Sequence, residues 1–174
     1  MLCSDGFLSV YLPSYVQARH PMLVGAVGTI DSLKLPIQVS SNSQLQNSMY
    51  NGWLHLHFVS NVFAFSPTGK VKFVAKSRFP TYFIPRGIIY ACLNAPGSWH
   101  DSRVARPLYD TLAETLPVGH HFVADTAFPQ GTGRCPGKIQ TPLHAGSALP
   151  DNPEELSQVV AFNQQLISYR QSVE

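Results

Sequence analysis

Short apolar runs separated by turn residues occupy the first half of the chain, and this pattern predicts β-strands. The first run, at residues 23–39, is interpreted as a strand that turns at residues 31–34 and continues as a short extended piece. A polar loop is expected at residues 40–48. A strand rich in Phe, Val and His is predicted at residues 54–65, before a Ser-Pro-Thr-Gly turn, and another is predicted at residues 88–93.

The second half of the chain changes to a helical spacing of apolar residues. A helix is predicted over residues 101–116, because three apolar residues share one stripe of it. These residues are Val104, Leu108 and Leu112. A short strand is expected at residues 121–124, and a second strand at residues 139–143 is left open.

The last predicted helix covers residues 153–174. Asp151 or Asn152 can cap its N-terminus, and Pro153 suits the first helical position. Two glutamates follow, where negative charge suits the helix dipole. The order of strands and helices predicts an α/β fold, with a mixed sheet and helices on its faces. Residues 1–20 are weakly patterned and are interpreted as an N-terminal remnant or tail, which leaves residues 21–174 as the domain.

The composition is that of a globular protein, with 44% hydrophobic residues. No apolar run reaches the roughly 18 residues that cross a bilayer, and the N-terminus lacks a signal-peptide pattern. Cys3, Cys92 and Cys135 form no C-x-x-C pair, so neither a zinc site nor a disulfide framework is indicated. Free thiols suggest a reducing intracellular compartment.

The net charge of +2 conceals one basic cluster. Five of the 12 basic residues lie in an acid-free stretch, which leaves seven basic against ten acidic residues elsewhere. The cluster consists of Lys70, Lys72, Lys76, Arg78 and Arg86. A nucleic-acid-binding protein is usually more basic than that remainder. Charge alone therefore does not indicate DNA, and the argument depends on the acids.

Asp31 and Asp125 each directly follow a short apolar strand. A carboxylate at such a place is costly unless it is paired, hydrogen-bonded or bound to a cation. For either residue alone, a turn-capping role is an equally good interpretation.

Glu174 follows Leu156 by 18 residues, so the two point in the same direction on a helix. The apolar face, with Val160 and Ile167, is therefore expected to end in a carboxylate. An ion pair with Arg170 and a frayed helix end are the alternatives.

Three such acids together favour a site for hard divalent cations, which take oxygen ligands. Two ions roughly 3.5–4 Å apart activate water and stabilise the leaving oxygen of a phosphodiester. His55 and His57 are expected on one side of a strand, as packing or hydrogen-bonding residues rather than as a metal pair.

Six short segments occur in a fixed order and are specific only as a set. They are Gly28-Thr29-Ile30-Asp31, Tyr50-Asn51-Gly52-Trp53, Ala95-Pro96-Gly97-Ser98-Trp99-His100-Asp101-Ser102, Val123-Ala124-Asp125-Thr126-Ala127-Phe128-Pro129, Phe162-Asn163 and Arg170-Gln171-Ser172-Val173-Glu174. The series resembles the DDE endonuclease domain of Harbinger-type transposases, especially fungal ones, over about residues 20–174. The resemblance implies an RNase H-like fold and a nuclear, metal-dependent DNA endonuclease.

By motif position, the resemblance implies that Asp31, Asp125 and Glu174 are the catalytic and metal-binding acids. The 48 residues between the last two match the spacing of this group. The implied cofactor is Mg²⁺ or Mn²⁺, with two ions. Water would attack a phosphodiester and free a 3′-hydroxyl, which then attacks target DNA. The implied partners are transposon ends, target DNA and a separate DNA-binding protein.

Supporting residues follow from the same motifs. Asp101 is expected to support the site, to contact DNA or to cap the helix that it opens. His100 and Trp99 are expected in the core or beside the acids. Asn163 and Arg170 are expected to orient Glu174 or to contact phosphate.

Three features depart from the family pattern. Ser32 replaces the glycine that commonly follows the first acid. Residues 71–87, which hold most of the basic cluster, interrupt an expected short hairpin. They are interpreted as a non-native insertion such as translated intron, with a DNA-contacting loop as the alternative. The last helix is expected to continue past Glu174. No helix-turn-helix segment is seen upstream, so the domain is expected to be incomplete at both ends.

Three other functions stay open from sequence alone. One is a domesticated or decayed relic that binds DNA or a protein without cutting. Another is a different metal-dependent phosphohydrolase with similarly spaced acids. The third is a structural α/β interaction module.

Overall fold

A computed structural model describes residues 7–67, 87–129, 133 and 135–171. Helices and strands alternate irregularly along these ranges. In chain order they are α1 (Phe7–Gln17), β1 (Ala26–Pro36), α2 (Ser43–Met49), β2 (Tyr50–Asn51), β3 (Leu56–Phe65), β4 (Ile88–Pro96), α3 (Asp101–Val104), α4 (Arg106–Thr115), β5 (His121–Ala124), β6 (Ile139–Gln140) and α5 (Pro153–Gln171).

The strands of the described ranges form one mixed sheet. Its order is β2-β3-β1-β5-β6, and β4 also pairs with β3. β1 is antiparallel to β3, and β3 is antiparallel to β4. β5 is parallel to both β1 and β6. The predicted α/β class with a mixed sheet and helices is therefore confirmed, and the arrangement is consistent with an RNase H-like fold.

β1 is longer and more regular than expected. The turn predicted at residues 31–34 is wrong, because β1 continues through them to Pro36. Each residue from Thr29 to Pro36 has a partner on β3, ending with Pro36 opposite Phe58. The polar residues suggested a turn, but antiparallel pairing supplies backbone partners that keep this segment extended.

Two predicted boundaries needed correction. The loop expected at residues 40–48 contains α2, because Asn42 accepts hydrogen bonds from the backbone N–H groups of Gln44 and Leu45 and so caps this helix. The single helix expected at residues 101–116 is divided at Ala105 into α3 and α4. Pro107 explains the division, since it has no N–H for the next helical hydrogen bond.

The core lies on both faces of the sheet. The predicted stripe on α3 and α4 is buried, and it packs in one cluster with Ile30, Val62 and Phe122. A smaller cluster beneath α5 joins Val123 to Leu166 and other residues. Each face of the sheet therefore has its own helical cover.

Residues 1–20, interpreted as a tail, include a helix that packs into the core. Leu12 of α1 is fully buried, and Val16, one turn later, is 1% exposed. α1 also contacts β1. The described part of this segment is thus part of the domain, because two apolar side chains on one helical face meet the sheet.

α5 begins as predicted but presents a different face to the sheet. Asn152 rather than Asp151 caps it, since its Oδ1 accepts from the N–H of Glu154 at 3.0 Å. Val160 and Ile167 were expected on the buried face, yet they are 41% and 37% exposed. The buried residues of α5 are instead Leu166 and Tyr169, because packing against the sheet decides which face of the helix is covered.

The end of β3 is paired with the start of β4. Residues 68–86, between them in the sequence, lie outside the described residues. Phe65 pairs with Ile88, and Ser66 N–H donates to Gly87 O at 2.6 Å. This pairing agrees with the predicted hairpin between the two strands. The basic cluster lies outside the described residues, and the non-native origin of residues 71–87 stays a prediction.

Three smaller features complete the fold. β6 is shorter than the strand expected at residues 139–143. Cys92 and Cys135 are free thiols, and burial raises the pKa of both, which keeps them protonated at neutral pH. No helix in the described ranges has both the length and the hydrophobicity to cross a membrane.

Candidate active site

Asp31 and Asp125 lie at one edge of the sheet. Ile30 on β1 pairs with Ala124 on the neighbouring parallel strand β5, and the two aspartates are the next residues. Adjacent strands lie about 4.8 Å apart, and residues in parallel register point to the same face. The sheet therefore brings together two carboxylates that are 94 positions apart in the sequence.

Local hydrogen bonds hold both carboxylates. The Oδ1 atom of Asp31 accepts from the N–H of Ser32 at 2.8 Å. The Oδ1 atom of Asp125 accepts from the N–H of Ala127 at 2.6 Å, which forms a turn directly after β5. Both aspartates are half-buried. Each carboxylate is thus oriented by a nearby backbone N–H group, while part of the side chain remains accessible to solvent.

Arg170 places the last described turn of α5 beside Asp125. Its Nη1 lies 3.9 Å from the Oδ2 of Asp125, and both side chains are partly exposed. Glu174, the third predicted acid, lies outside the described residues. It follows Arg170 by four positions in the sequence, which is the spacing of about one helical turn.

Asp101 is buried on the other side of β1. The expectation that it caps a helix is wrong, because His100 is the N-cap of α3 and Asp101 is its first residue. Only 7% of Asp101 is exposed. Its carboxylate accepts from Ser32 Oγ at 3.0 Å and from Ser60 Oγ at 3.2 Å. Lys34 Nζ lies 3.4 Å from the same carboxylate.

His100 and Trp99 fix the start of α3. The Nδ1 atom of His100 accepts from the N–H of Ser102 at 3.2 Å, so this imidazole serves as the helix cap. The guanidinium of Arg103 lies 4.1 Å from the centre of the Trp99 ring, a cation–π contact. These contacts orient the helix that carries Asp101.

Asn163 connects α5 to the segment that follows β6. Its Oδ1 accepts from the N–H of Leu143 at 2.8 Å. This bond ties the helix to the sheet edge. The expected roles of Asn163 in orienting Glu174 or contacting phosphate stay predictions.

Two of the recognised motif segments contact each other. Asn51 donates from Nδ2 to Gly97 O at 2.8 Å, and its Oδ1 accepts from the N–H groups of Trp53 and Leu54. Gly97 lies so close to the backbone oxygens of Phe58 and Met49 that a Cβ atom would collide with both. Glycine is required here because another backbone passes against it.

His55 and His57 do not act as a strand pair. His55 has a positive φ of 54° and precedes β3, whereas His57 lies on β3. Tyr50 contacts both histidines in different ways. Its hydroxyl is 3.2 Å from His55 Nδ1, and the centre of its ring is 5.0 Å from the centre of the His57 ring. The predicted placement of both histidines on one side of a strand is therefore wrong, because His55 lies before β3.

The described acids suit a hard divalent cation. Asp31 and Asp125 offer carboxylate oxygens, and Mg²⁺ is usually bound through one or two carboxylates together with water. In the part of the chain that the structure describes, no three His, Cys, Asp or Glu side chains form a group that holds a metal ion. Glu174, the third predicted ligand, lies outside the described residues.

Sequence reasoning missed the surroundings of Asp101. Lys34 and Ser60 were not singled out, although both contact its carboxylate. Ser32 was noticed only as a departure from the family pattern. The one available signal was that a lone lysine and a serine follow Asp31 within three positions.

Comparison with known proteins agrees with the geometry. A sequence model described as DDE superfamily endonuclease matches residues 83–174. The match begins inside the segment interpreted as an insertion; it contains Asp101, Asp125 and Glu174, while Asp31 lies before it. Comparisons with curated proteins and with solved structures gave no match. Because the matched region is more than half of the 174 residues, the chain belongs to the DDE superfamily endonuclease family.

Proposed function

We propose that this chain is the catalytic domain of a Harbinger-type transposase that cuts phosphodiester bonds in DNA. The proposed ligands of two divalent cations, Mg²⁺ or Mn²⁺, are Asp31, Asp125 and Glu174. The observation that carries the proposal is the parallel pairing of Ile30 with Ala124, which puts two carboxylates at one sheet edge. Family membership supports a nuclease or transposase function.

Divalent cations, when bound, would supply charge neutralisation and an activated water for attack on phosphorus. The chain's own acids would hold these cations in a fixed geometry, because both aspartates are anchored by backbone N–H groups. Arg170, beside Asp125, would provide a positive charge for the phosphodiester. Positioning and electrostatics therefore account for the protein's part in catalysis.

The substrates in this proposal are transposon ends and target DNA, and the place of action is the nucleus. A separate DNA-binding protein would supply specific recognition. The basic cluster at residues 70–86 is a further candidate for DNA contact. The substrates, the nuclear location and the partner protein follow the family resemblance, whereas the basic cluster is a candidate only if residues 71–87 are native.

The test uses purified protein with Mg²⁺ or Mn²⁺ and duplex DNA that carries matching terminal repeats. Wild type is expected to nick this DNA, and Asp125→Asn is expected to abolish nicking. Asp151→Asn is the matched control, because Asp151 is exposed and precedes α5. Equal nicking by wild type and Asp125→Asn would remove the catalytic proposal.

Three further outcomes separate the alternatives. Absence of both nicking and Mn²⁺-linked stabilisation of the fold would favour a relic that binds DNA or a protein without cutting. Cleavage of phosphomonoesters in preference to duplex DNA would favour a different phosphohydrolase. Stabilisation by Asp125→Asn, with no effect of Mn²⁺ on wild type, would favour a structural module.

A further inference from the structure

We propose that Asp101 is a positioning residue that fixes Asp31 through Ser32. This inference rests on the proposed function in so far as Asp31 is a metal ligand. It assigns to Asp101 a role across the strand, on the side opposite to the metal, rather than contact with DNA or with the cations.

The contacts of Asp101 join three elements at one carboxylate. Asp101 begins α3, Ser32 belongs to β1 and Ser60 belongs to β3. The two hydroxyls bond to different oxygens, Ser32 to Oδ2 and Ser60 to Oδ1. Lys34 adds a positive charge 3.4 Å from Oδ2. A carboxylate with so little exposure needs such partners, which makes the arrangement specific.

β1 needs a support at this point of the sheet. Its pairing with β5 ends at Ile30, while its pairing with β3 continues to Pro36. From Asp31 onward, one edge of β1 therefore has no paired strand among the described residues. The bond from Ser32 to Asp101 begins at the second residue of this one-sided segment, where it ties β1 to α3.

Ser32 transmits this restraint directly to Asp31. Successive side chains of a strand point to opposite faces, so Ser32 faces α3 while Asp31 faces the side covered by α5. The N–H of Ser32 also donates to Asp31 Oδ1. One residue thus holds Asp101 by its hydroxyl and Asp31 by its backbone. The serine that replaces a common family glycine gains a function, since glycine has no hydroxyl for this bond.

A matched pair of substitutions tests the link. Ser32→Ala removes the hydroxyl bond that joins Asp101 to the residue next to Asp31 and leaves the Lys34 contact in place, whereas Ser60→Ala removes the equivalent bond to β3. Ser32→Ala is expected to lower the affinity for Mn²⁺ and kcat for DNA nicking by about tenfold, which is typical when a ligand loses its supporting partner. The KM for DNA should stay unchanged. Ser60→Ala, which keeps the bond from Ser32, should lower both quantities less than Ser32→Ala does, and Ser32→Thr, which keeps the hydroxyl, should restore both quantities.

A measurement without metal separates this inference from the proposed function. Hydrogen exchange of the backbone amides at residues 31–33 should be faster in Ser32→Ala than in Ser60→Ala, because only the former removes the side-chain bond that holds β1 next to Asp31. Equal exchange in the two variants would overturn the positioning role, whatever the activity. Faster exchange in a protein that neither binds Mn²⁺ nor cuts DNA would uphold the restraint on β1 and reject the nuclease.

Discussion

The guanidinium of Arg170 lies 3.9 Å from the carboxylate of Asp125, although the two residues come from α5 and the end of β5. This contact brings a positive charge to the site proposed for cations. It also shows that the end of α5 approaches the sheet edge where the two aspartates meet. If Asp125 binds a divalent ion as proposed, Arg170 would compete with that ion for the carboxylate.

Replacement of Arg170 by glutamine should strengthen metal binding in the absence of DNA. Partly exposed ion pairs contribute modestly, so the expected gain in Mn²⁺ affinity is about threefold. Calorimetric titration at low salt measures it, with Arg106→Gln on the exposed side of α4 as the control. Weaker Mn²⁺ binding by Arg170→Gln would instead mean that the arginine supports the metal site.

The pH dependence of stability should reflect His121. Burial, with a smaller contribution from His120, lowers the pKa of His121 to about 4. The unfolded chain binds this proton near pH 6.5, so it holds more protons than the folded chain between these values. The free energy of unfolding should therefore fall as the pH drops from about 6.5 to about 4, by at most about 3 kcal/mol from this residue.

Urea unfolding across that pH range measures the effect of His121. His121→Gln should flatten the dependence, whereas His144→Gln, at an exposed position, should leave it unchanged. A slope that survives in His121→Gln would assign the dependence to other groups.

The close approach at Gly97 predicts a large cost for any side chain there. Gly97→Ala should lower the free energy of unfolding by more than about 2 kcal/mol, because the new methyl group meets backbone oxygens that cannot rotate away. Gly52→Ala is the matched control, since a Cβ atom at Gly52 meets nothing within 4 Å. Similar unfolding curves for the two variants would contradict the packing described around Gly97.

The N-terminus of α5 predicts a smaller and local effect. Asn152→Ala should cost about 1 kcal/mol of unfolding free energy, because the N–H of Glu154 loses its capping oxygen. Asp151→Ala, one residue earlier, should cost much less. Thermal unfolding of both variants decides between the two caps that the sequence allowed, and a larger loss for Asp151→Ala would reverse the assignment.

Strong local patterns made much of the fold predictable. The strands β3 and β5 and the stripe on α3 and α4 were expected, because apolar periodicity depends on which face of each element is buried. The family resemblance also predicts that Asp31 and Asp125 meet, although only Asp125 stands at a strand end, because β1 continues past Asp31 to Pro36. A helix was expected from Pro153, where the capping residues and first turn follow local rules.

Tertiary contacts decided the features that local pattern could not contain. Residues 31–34 resembled a turn, but pairing with β3 made them a strand. Asp101 resembled a helix cap, but its burial beside Ser32 made it a link between distant elements.

The sequence by itself determined which segments are apolar, which of them have the periodicity of a strand or a helix, and the order of the acids, since these depend on neighbours along the chain. The tertiary structure alone decided the length of β1, the buried face of α5 and the burial of α1. Each of these depends on hydrogen bonds or packing partners far away in sequence, and local composition does not predict such partners.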